Sequence, residues 1–259
     1  MIRCTLLSVL AALPVSGAYV ADFSTAGQID ADFSSAQGGL SQSATGGLNN
    51  GPSLSLAGAN VVNQVIYTLD EAFSGDLASW TASYYFRGVP GTAPLFGVLS
   101  DPAAAVTDGL PTIGGDYASY IQIQTGDGDG GTLGIDSLAG STFTSNFSGV
   151  PVPGGLPGTA GFYHYAMAVT YLGLTNYKVD ATLTAANADG SLGPVLATHT
   201  STFSNPDLAA DDSVYLYFHA YNGGNIDNIS FQVVPEPGSA MLAAIGLLGG
   251  AFFRRRPGR

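Results

Sequence analysis

The 259-residue sequence predicts an all-β fold, an antiparallel β-sandwich of the jelly-roll type. Short segments alternate apolar and polar side chains, which is the pattern of strands that bury one face. Gly, Pro, Asn or Asp ends each segment, and the chain contains 36 glycines and 14 prolines. No segment before residue 240 has a sustained helical stripe of apolar residues. Two packed sheets are the architecture that buries such strands.

The N-terminal end has the three parts of a secretory signal peptide. Arg3 supplies a positive charge, residues 4–15 form an apolar run, and residues 16–18 are small. We expect cleavage after Ala18, with Ala21 as the alternative, and we expect the Sec machinery and signal peptidase as partners. Cys4 is the only cysteine and leaves with residues 1–18. The mature chain therefore has no disulfide and depends on a hydrophobic core.

A short duplication follows the signal peptide. Residues 21–26 (ADFSTA) recur as residues 31–36 (ADFSSA). Two copies are too few for a repeat fold. Residues 22–60 are therefore predicted to form a pair of short strands or a loose N-terminal arm.

The rest of the body is predicted to consist of antiparallel strands in one domain. The segment 177–185 alternates most clearly, with Tyr177 and Val179 on one face and Lys178 on the other. The proline-rich stretch 149–161 is predicted to be a long loop. Further strands are predicted at 61–69, 79–87, 117–124, 132–135, 142–147, 162–172, 195–203, 214–221 and 226–233.

The body, residues 19–233, is strongly acidic. It contains two of the seven basic residues, Arg87 and Lys178, and eighteen of the nineteen acidic residues, so its formal charge is −16. Such a surface repels nucleic acids and anionic polymers, and we expect no nucleic-acid partner. Divalent cations are the natural partners of this surface. Calcium is the one cofactor that the sequence suggests.

The candidate calcium ligands are four aspartates, Asp127, Asp129, Asp136 and Asp227. The first two alternate with glycines in a predicted turn, where they offer hard oxygen ligands. This stretch is not an EF-hand, because Gly131 occupies a ligand position and Leu138 stands where that motif has glutamate. The alternative is that the aspartates are solvated turn residues. A melting curve with calcium and with a chelator tests the prediction, and the absence of any shift would exclude it.

The segment 213–221 is the candidate saccharide-binding element of the body. Its even-numbered residues are apolar, and the opposite face carries Tyr215, Tyr217, His219 and Tyr221. Amphipathic rings in a row can stack on sugar rings while their polar groups bond to hydroxyls. The alternative is ordinary packing beneath another layer, since tyrosine is favoured in strands.

Catalytic motifs are absent from the sequence. There is no HExxH, no GxSxG and no cysteine nucleophile in the body. Glu71 is the only glutamate of the body, and nothing singles out a pair of aspartates for glycoside hydrolysis. We therefore expect a protein that is not an enzyme. The alternatives are a secreted polysaccharide-active hydrolase and a ligand-free matrix scaffold.

The C-terminal end, residues 234–259, has three parts in series. Pro235, Glu236 and Pro237 form a stiff, extended arm, because proline fixes φ and biases the preceding residue away from helix. Residues 240–253 carry no charge and are predicted to be a short membrane helix. Arg254, Arg255 and Arg256 follow as a cationic stop. Fourteen helical residues span about 21 Å of a hydrocarbon core about 30 Å thick, and arginine snorkelling and bilayer thinning close part of this gap.

This order of motif, apolar segment and arginine cluster resembles the PEP-CTERM sorting signal of Gram-negative bacteria. The resemblance implies recognition by a membrane-embedded exosortase, transient anchoring in the inner membrane, and release or transfer to the cell envelope or extracellular matrix. Together with the β-sandwich, it leads us to expect an exported component of an exopolysaccharide matrix, such as that of a biofilm, with a structural or carbohydrate-binding role.

Overall fold

A computed structural model gives the fold. It describes residues 18–28, 33–37, 40–56, 63–68, 79–87, 94–99, 105–107, 110–113, 116–117, 119–125, 131–139, 147–153, 161–210, 215–220 and 224–233. Residues 1–17, which make up most of the predicted signal peptide, lie outside these ranges. The tail from residue 234, with the predicted membrane helix, lies outside them as well. Among the described residues, no helix has the length and apolar character needed to cross a membrane.

The strands, in chain order, are β1 (Ala18–Ala21), β2 (Phe33–Gln37), β3 (Leu40–Ser43), β4 (Ser53–Leu56), β5 (Asn63–Thr68), β6 (Ser79–Arg87), β7 (Pro94–Leu99), β8 (Ala105–Thr107), β9 (Leu110–Ile113), β10 (Asp116–Tyr117), β11 (Tyr120–Thr125), β12 (Thr132–Leu138), β13 (Ser148–Pro151), β14 (Phe162–Gly173), β15 (Asn176–Ala186), β16 (Leu192–Ser204), β17 (Tyr215–Ala220) and β18 (Gly224–Val233). Leu48–Asn50 is a 3-10 turn, and Pro206–Ala210 is a short helix, α1.

Two antiparallel sheets form the body, which confirms the predicted β-sandwich. Sheet A has the order β16-β15-β14-β6-β18-β4-β3, with β1 also paired to β18. Sheet B has the order β13-β12-β11-β7-β17-β5-β2. A third, smaller sheet contains β10, β9 and β8. All the described strand pairs are antiparallel, as strands with one polar face predict.

The core lies between sheets A and B and is rich in aromatic rings. Tyr84 of β6 stacks on Tyr165 of β14 at 5.3 Å between ring centroids, and it meets Phe96 of β7 edge-on at 5.0 Å. The Tyr165 hydroxyl lies 3.1 Å from Thr125 Oγ1 of β11, so a hydrogen bond joins the two sheets inside the core. Burial raises the pKa of the Tyr165 hydroxyl above its ordinary value. This tyrosine therefore stays a neutral structural group.

Strand β18 brings the two ends of the body together. It pairs with β6 through Val233 opposite Trp80, and with β1 through Gln232 opposite Ala18. Phe231 of β18 also stacks on Trp80 at 5.3 Å. The predicted start of the mature chain and the start of the predicted tail therefore lie side by side in sheet A.

The predicted strand bounds agree best with the structure in strands that have one face exposed to solvent. The prediction for 79–87 coincides with β6, and that for 177–185 lies within β15. The prediction for 142–147 lies mostly outside the described residues, and its last residue, Phe147, precedes β13 instead of belonging to a strand.

Three expectations need correction. Of the two alternatives for residues 22–60, short strands are present and the loose arm is wrong, because β2 pairs in sheet B while β3 and β4 pair in sheet A. The predicted loop 149–161 begins as part of β13, which pairs with β12. The body also contains the helix α1, which was not predicted. The buried Asn205 starts this helix, because its Oδ1 accepts a hydrogen bond from the Leu208 N–H at 3.1 Å.

Candidate functional site

An open trough of about 250 Å³ lies on the outer face of sheet A. Four neighbouring strands, β15, β14, β6 and β18, contribute to it. The trough exists because the outward side chains at its floor are small. They are Thr81, Ser83, Ala166, Ala168, Thr182 and Ser230.

The strand register sets these small residues in rows. Ser83 lies opposite Ala166 on one side and opposite Ser230 on the other, and Thr182 lies opposite Ala166. Cross-strand partners point to the same side of a sheet, so each row places hydroxyl groups beside a methyl floor. Residues as far apart in the sequence as Thr81 and Ser230 therefore lie on one surface.

Aromatic rings close one end of the trough. Tyr85 and His164 are cross-strand partners with ring centroids 4.7 Å apart. The Tyr85 hydroxyl donates a hydrogen bond to the Gly190 carbonyl at 2.9 Å. Burial lowers the pKa of the His164 imidazole below its ordinary value. At neutral pH this ring is therefore uncharged and offers one N–H donor and one acceptor nitrogen.

A carboxylate marks the other end of the trough. Asp180 accepts hydrogen bonds from Lys178 Nζ at 2.7 Å and from the Thr200 hydroxyl at 2.5 Å. These two bonds hold the pKa of the Asp180 carboxyl below its usual range. The group is therefore an ionised acceptor, and both it and Lys178 remain partly exposed to solvent. Such an exposed pair contributes little to stability.

The trough offers hydroxyls, a neutral imidazole and a carboxylate. These groups can bind a ligand rich in hydroxyls, because each of them exchanges hydrogen bonds with a hydroxyl group. Glycoside hydrolysis ordinarily needs two carboxyl groups across the scissile bond. Among the described residues that line the trough, Asp180 is the one carboxylate.

A loop adjoins the aromatic end of the trough. The Asn49 N–H donates to the Ala188 carbonyl at 2.5 Å, which ties residues 46–51 to the turn between β15 and β16. The Leu48 N–H donates to Asp227 Oδ2 at 2.8 Å. A Cβ at Gly47 would collide with the Pro52 carbonyl oxygen and would lie 2.6 Å from Asp227 Oδ2, so glycine is required where this loop meets β18.

The predicted calcium ligands lie in different parts of the chain. Asp136 is buried in β12 of sheet B, where its Oδ2 accepts a hydrogen bond from the Tyr120 hydroxyl at 2.8 Å. Asp227 belongs to β18 of sheet A, and burial raises the pKa of its carboxyl. Asp127 and Asp129 lie outside the described residues. Within the described ranges, no three His, Cys, Asp or Glu side chains are placed to hold a metal ion, and calcium binding stays a prediction.

The predicted tyrosine face belongs to β17 in the interior of sheet B. The backbone of Tyr215–Ala220 pairs with β5 and β7, and Leu216 is buried as the apolar face predicts. The side chains of Tyr215, Tyr217 and His219 are outside what the structure describes, as is Tyr221. Their role in saccharide binding stays a prediction.

The sequence did not reveal the trough. Alanine, serine and threonine carry no chemical signature, and His164 looked like an ordinary strand histidine. The one available signal was the small size of the outward residues Ala166 and Ala168 in the segment 162–172. It gains meaning only when β6 and β15 are known to lie beside it.

The chain is similar to several solved structures. A lectin from Bauhinia forficata, solved in complex with GalNAc, is similar with a TM-score of 0.50 and 11% sequence identity, over 84% of this chain and 98% of the lectin. A carbohydrate esterase from the Shiga toxin-encoding bacteriophage phi24B has a TM-score of 0.46 and 16% identity, over 84% of this chain and 100% of that chain. A legume lectin-like domain from Entamoeba histolytica has a TM-score of 0.44 and 11% identity, over 80% of this chain and 92% of that domain.

The first of these similarities supports a lectin-like β-sandwich and shows the fold alone. No curated protein matches the sequence. Residues 233–256 match the family model of the PEP-CTERM protein-sorting motif. That motif implies export and processing by an exosortase. The chain therefore carries at its C-terminal end, over residues 233–256, the PEP-CTERM protein-sorting motif.

Proposed function

We propose that this exported, exosortase-processed protein binds a neutral saccharide in the trough on the outer face of sheet A. The binding is non-catalytic, and it attaches the β-sandwich to exopolysaccharide in the cell envelope or extracellular matrix. Secretion is directed by residues 1–18, and the tail holds the chain in the inner membrane until it is processed.

The observation that carries this proposal is the open trough with polar groups on a methyl floor. A sugar ring has polar edges and apolar C–H faces, so it needs both kinds of contact at once. The Tyr85 and His164 rings at one end provide a surface for C–H contacts. Thr182 and Ser83 provide hydroxyls, and Asp180 provides an ionised acceptor.

The charge of the body favours a neutral sugar. A formal charge of −16 repels uronic acids and other anionic polymers at long range. A neutral polysaccharide is not repelled by this negative charge. The protein would therefore select uncharged polymers from a mixed matrix.

Filling the trough tests the proposal. Ala166→Phe places a ring on the floor, while Thr202→Phe places the same ring on an exposed outward position of β16, the edge strand of the same sheet. We expect Ala166→Phe to weaken binding to neutral glycans by about tenfold or more, and Thr202→Phe to leave it unchanged. Glycan arrays and isothermal titration calorimetry on the secreted protein give the measurement.

Three results would contradict the proposal. The first is binding that Ala166→Phe does not change while both variants melt like the original protein. The second is the absence of binding to any neutral glycan, which would favour a ligand-free matrix scaffold. Release of reducing ends from a bound glycan would instead identify a hydrolase.

A further inference from the structure

The hairpin between β14 and β15 ends in an exposed, uncharged tip. Its residues from Tyr171 to Tyr177 read YLGLTNY, with no charge in a body whose formal charge is −16. Leu172 is 55% exposed and Leu174 is 86% exposed. Both leucines therefore present apolar surface to solvent at one point of the molecule.

The tip is ordered by hydrogen bonds. The Tyr171 hydroxyl donates to the Leu174 carbonyl at 2.7 Å, and the Asn205 N–H donates to the Thr175 carbonyl at 2.8 Å. Leu174 itself has a φ of 59°, in the left-handed region where glycine or asparagine is the usual residue. A leucine is thus held at the most exposed position of the turn although its backbone conformation disfavours it.

The tip lies at the same end of sheet A as Val233, the last residue of β18. Val169 of β14 and Val233 of β18 both lie opposite Trp80 of β6, and both strands run antiparallel to β6. Strands β14 and β18 are therefore parallel in direction and about 10 Å apart. Gly173 lies four residues beyond Val169, so the hairpin projects about 13 Å past the row at which β18 ends.

This projection is comparable to the length of the arm that leads to the predicted membrane helix. Residues 234–239 can span at most about 20 Å. Any bend at Pro235 or Pro237 shortens this distance. The polar layer on each side of the hydrocarbon core is about 5–7 Å thick. With β14 and β18 directed toward the bilayer, the hairpin tip is therefore long enough to reach the headgroup layer when the tail is inserted.

We propose that the β14–β15 tip is a lipid-contact surface, which seats the body on the bilayer with Leu172 and Leu174 in the headgroup layer while the tail anchors the chain. Its composition suits that place, because tyrosines flank the leucines and Lys178 follows them. The inference rests on the anchoring part of the proposed function and is independent of saccharide binding.

A fluorescent label tests the seating. The full chain with C4S and N176C carries an environment-sensitive fluorophore beside the tip, and C4S with A188C carries it in the turn at the opposite end of β15. Each is inserted into vesicles of phosphatidylethanolamine and phosphatidylglycerol. We expect a blue shift and quenching by lipid-attached quencher at position 176 only, and a loss of both when L172N and L174N are added. Position 188 is a suitable control because Ala188 is exposed in the turn between β15 and β16, away from the tip.

The outcomes are distinguishable. Chains that float with the vesicles but show equal quenching at both positions overturn the seating and leave the anchoring intact. Chains that do not float overturn the anchoring and the seating together. A blue shift at position 176 that follows protein concentration instead of lipid concentration would show that the tip contacts a second copy of the chain, which also overturns the proposal.

Discussion

Sheets A and B differ in how many faces they bury. In β6 of sheet A, buried and partly exposed residues alternate along the whole strand. In β11 and β12 of sheet B nearly every residue is buried, including the polar Gln122 and Asp136 on the face turned away from the core. Strands β11 and β12 of sheet B are therefore packed on both sides, and sheet A keeps one side available. The comparison teaches that a binding surface is to be sought where a sheet carries small residues on an uncovered face.

The largest expected effect is a loss of unfolding free energy, and it is tested by replacing one tyrosine on the outer face of each sheet. Tyr120→Ala in sheet B removes a ring that is 0% exposed together with the hydroxyl that donates to Asp136, and we expect it to cost about 3–5 kcal/mol of unfolding free energy. Tyr85→Ala in sheet A removes a half-buried ring with one hydrogen bond, for about 1–2 kcal/mol. Urea unfolding measures both values, and equal losses would mean that the two outer faces are equally packed.

The next prediction decides which sheet binds saccharide. We expect Ala166→Phe in sheet A to reduce retention on neutral polysaccharide columns by about tenfold. Tyr217→Ala in sheet B tests the rival tyrosine face and is expected to change retention less than twofold if the trough is the site. The reverse result, with unchanged melting temperatures, would move the site to β17.

A third prediction uses the partial burial of His164 within the open face. The unfolded imidazole takes up a proton at its ordinary pKa of 6.5, whereas burial lowers the pKa of the folded group. The unfolded state thus binds more protons in the window just below pH 6.5, so stability falls as the pH drops through that window. Melting temperatures between pH 7.5 and pH 5 should show this loss, and His164→Gln should diminish it. An unchanged profile in the variant would show that other groups cause the pH dependence.

The smallest expected effect concerns the hairpin tip of sheet A. Leu174→Gly relieves a left-handed backbone and should raise the unfolding free energy by about 0.5–1 kcal/mol. Leu172→Gly is the matched control, because it removes the same side chain from a strand and should lower stability by about 0.5–1 kcal/mol. Chemical denaturation of the two variants measures this difference. A loss of stability in both would show that Leu174 is not strained.

The comparison of sheets also explains what could be predicted from sequence. The segments 79–87 and 177–185 were predicted well because only a half-exposed strand alternates visibly. Strands β2, β3 and β4 were not clearly predicted, because their segment is rich in Gly, Ser and Asn, which are typical of loops. These strands form because they pair with strands that are distant in the sequence. The sorting signal was recognised because the Pro235–Pro237 motif, the apolar segment and the arginine cluster follow one another directly in the sequence.

The trough could not be predicted in the same way. Thr81 and Ser230 become neighbours only because β18 pairs with β6, and local sequence does not encode that pairing. A bulge between Asp227 and Ser230 shifts the register further. Prediction of the site would have required the strand order of sheet A.

The position of β18 inside sheet A makes folding of the body depend on the C-terminal part of the chain. This strand is made last in the body, and its Ile226, Ile229 and Phe231 complete the buried cluster between the sheets. A polypeptide that stops short of residue 224 lacks both the final strand and the sorting motif that begins at residue 233. A chain that ends before residue 224 therefore loses a core strand and the sorting motif together, because the motif begins at residue 233, where β18 ends.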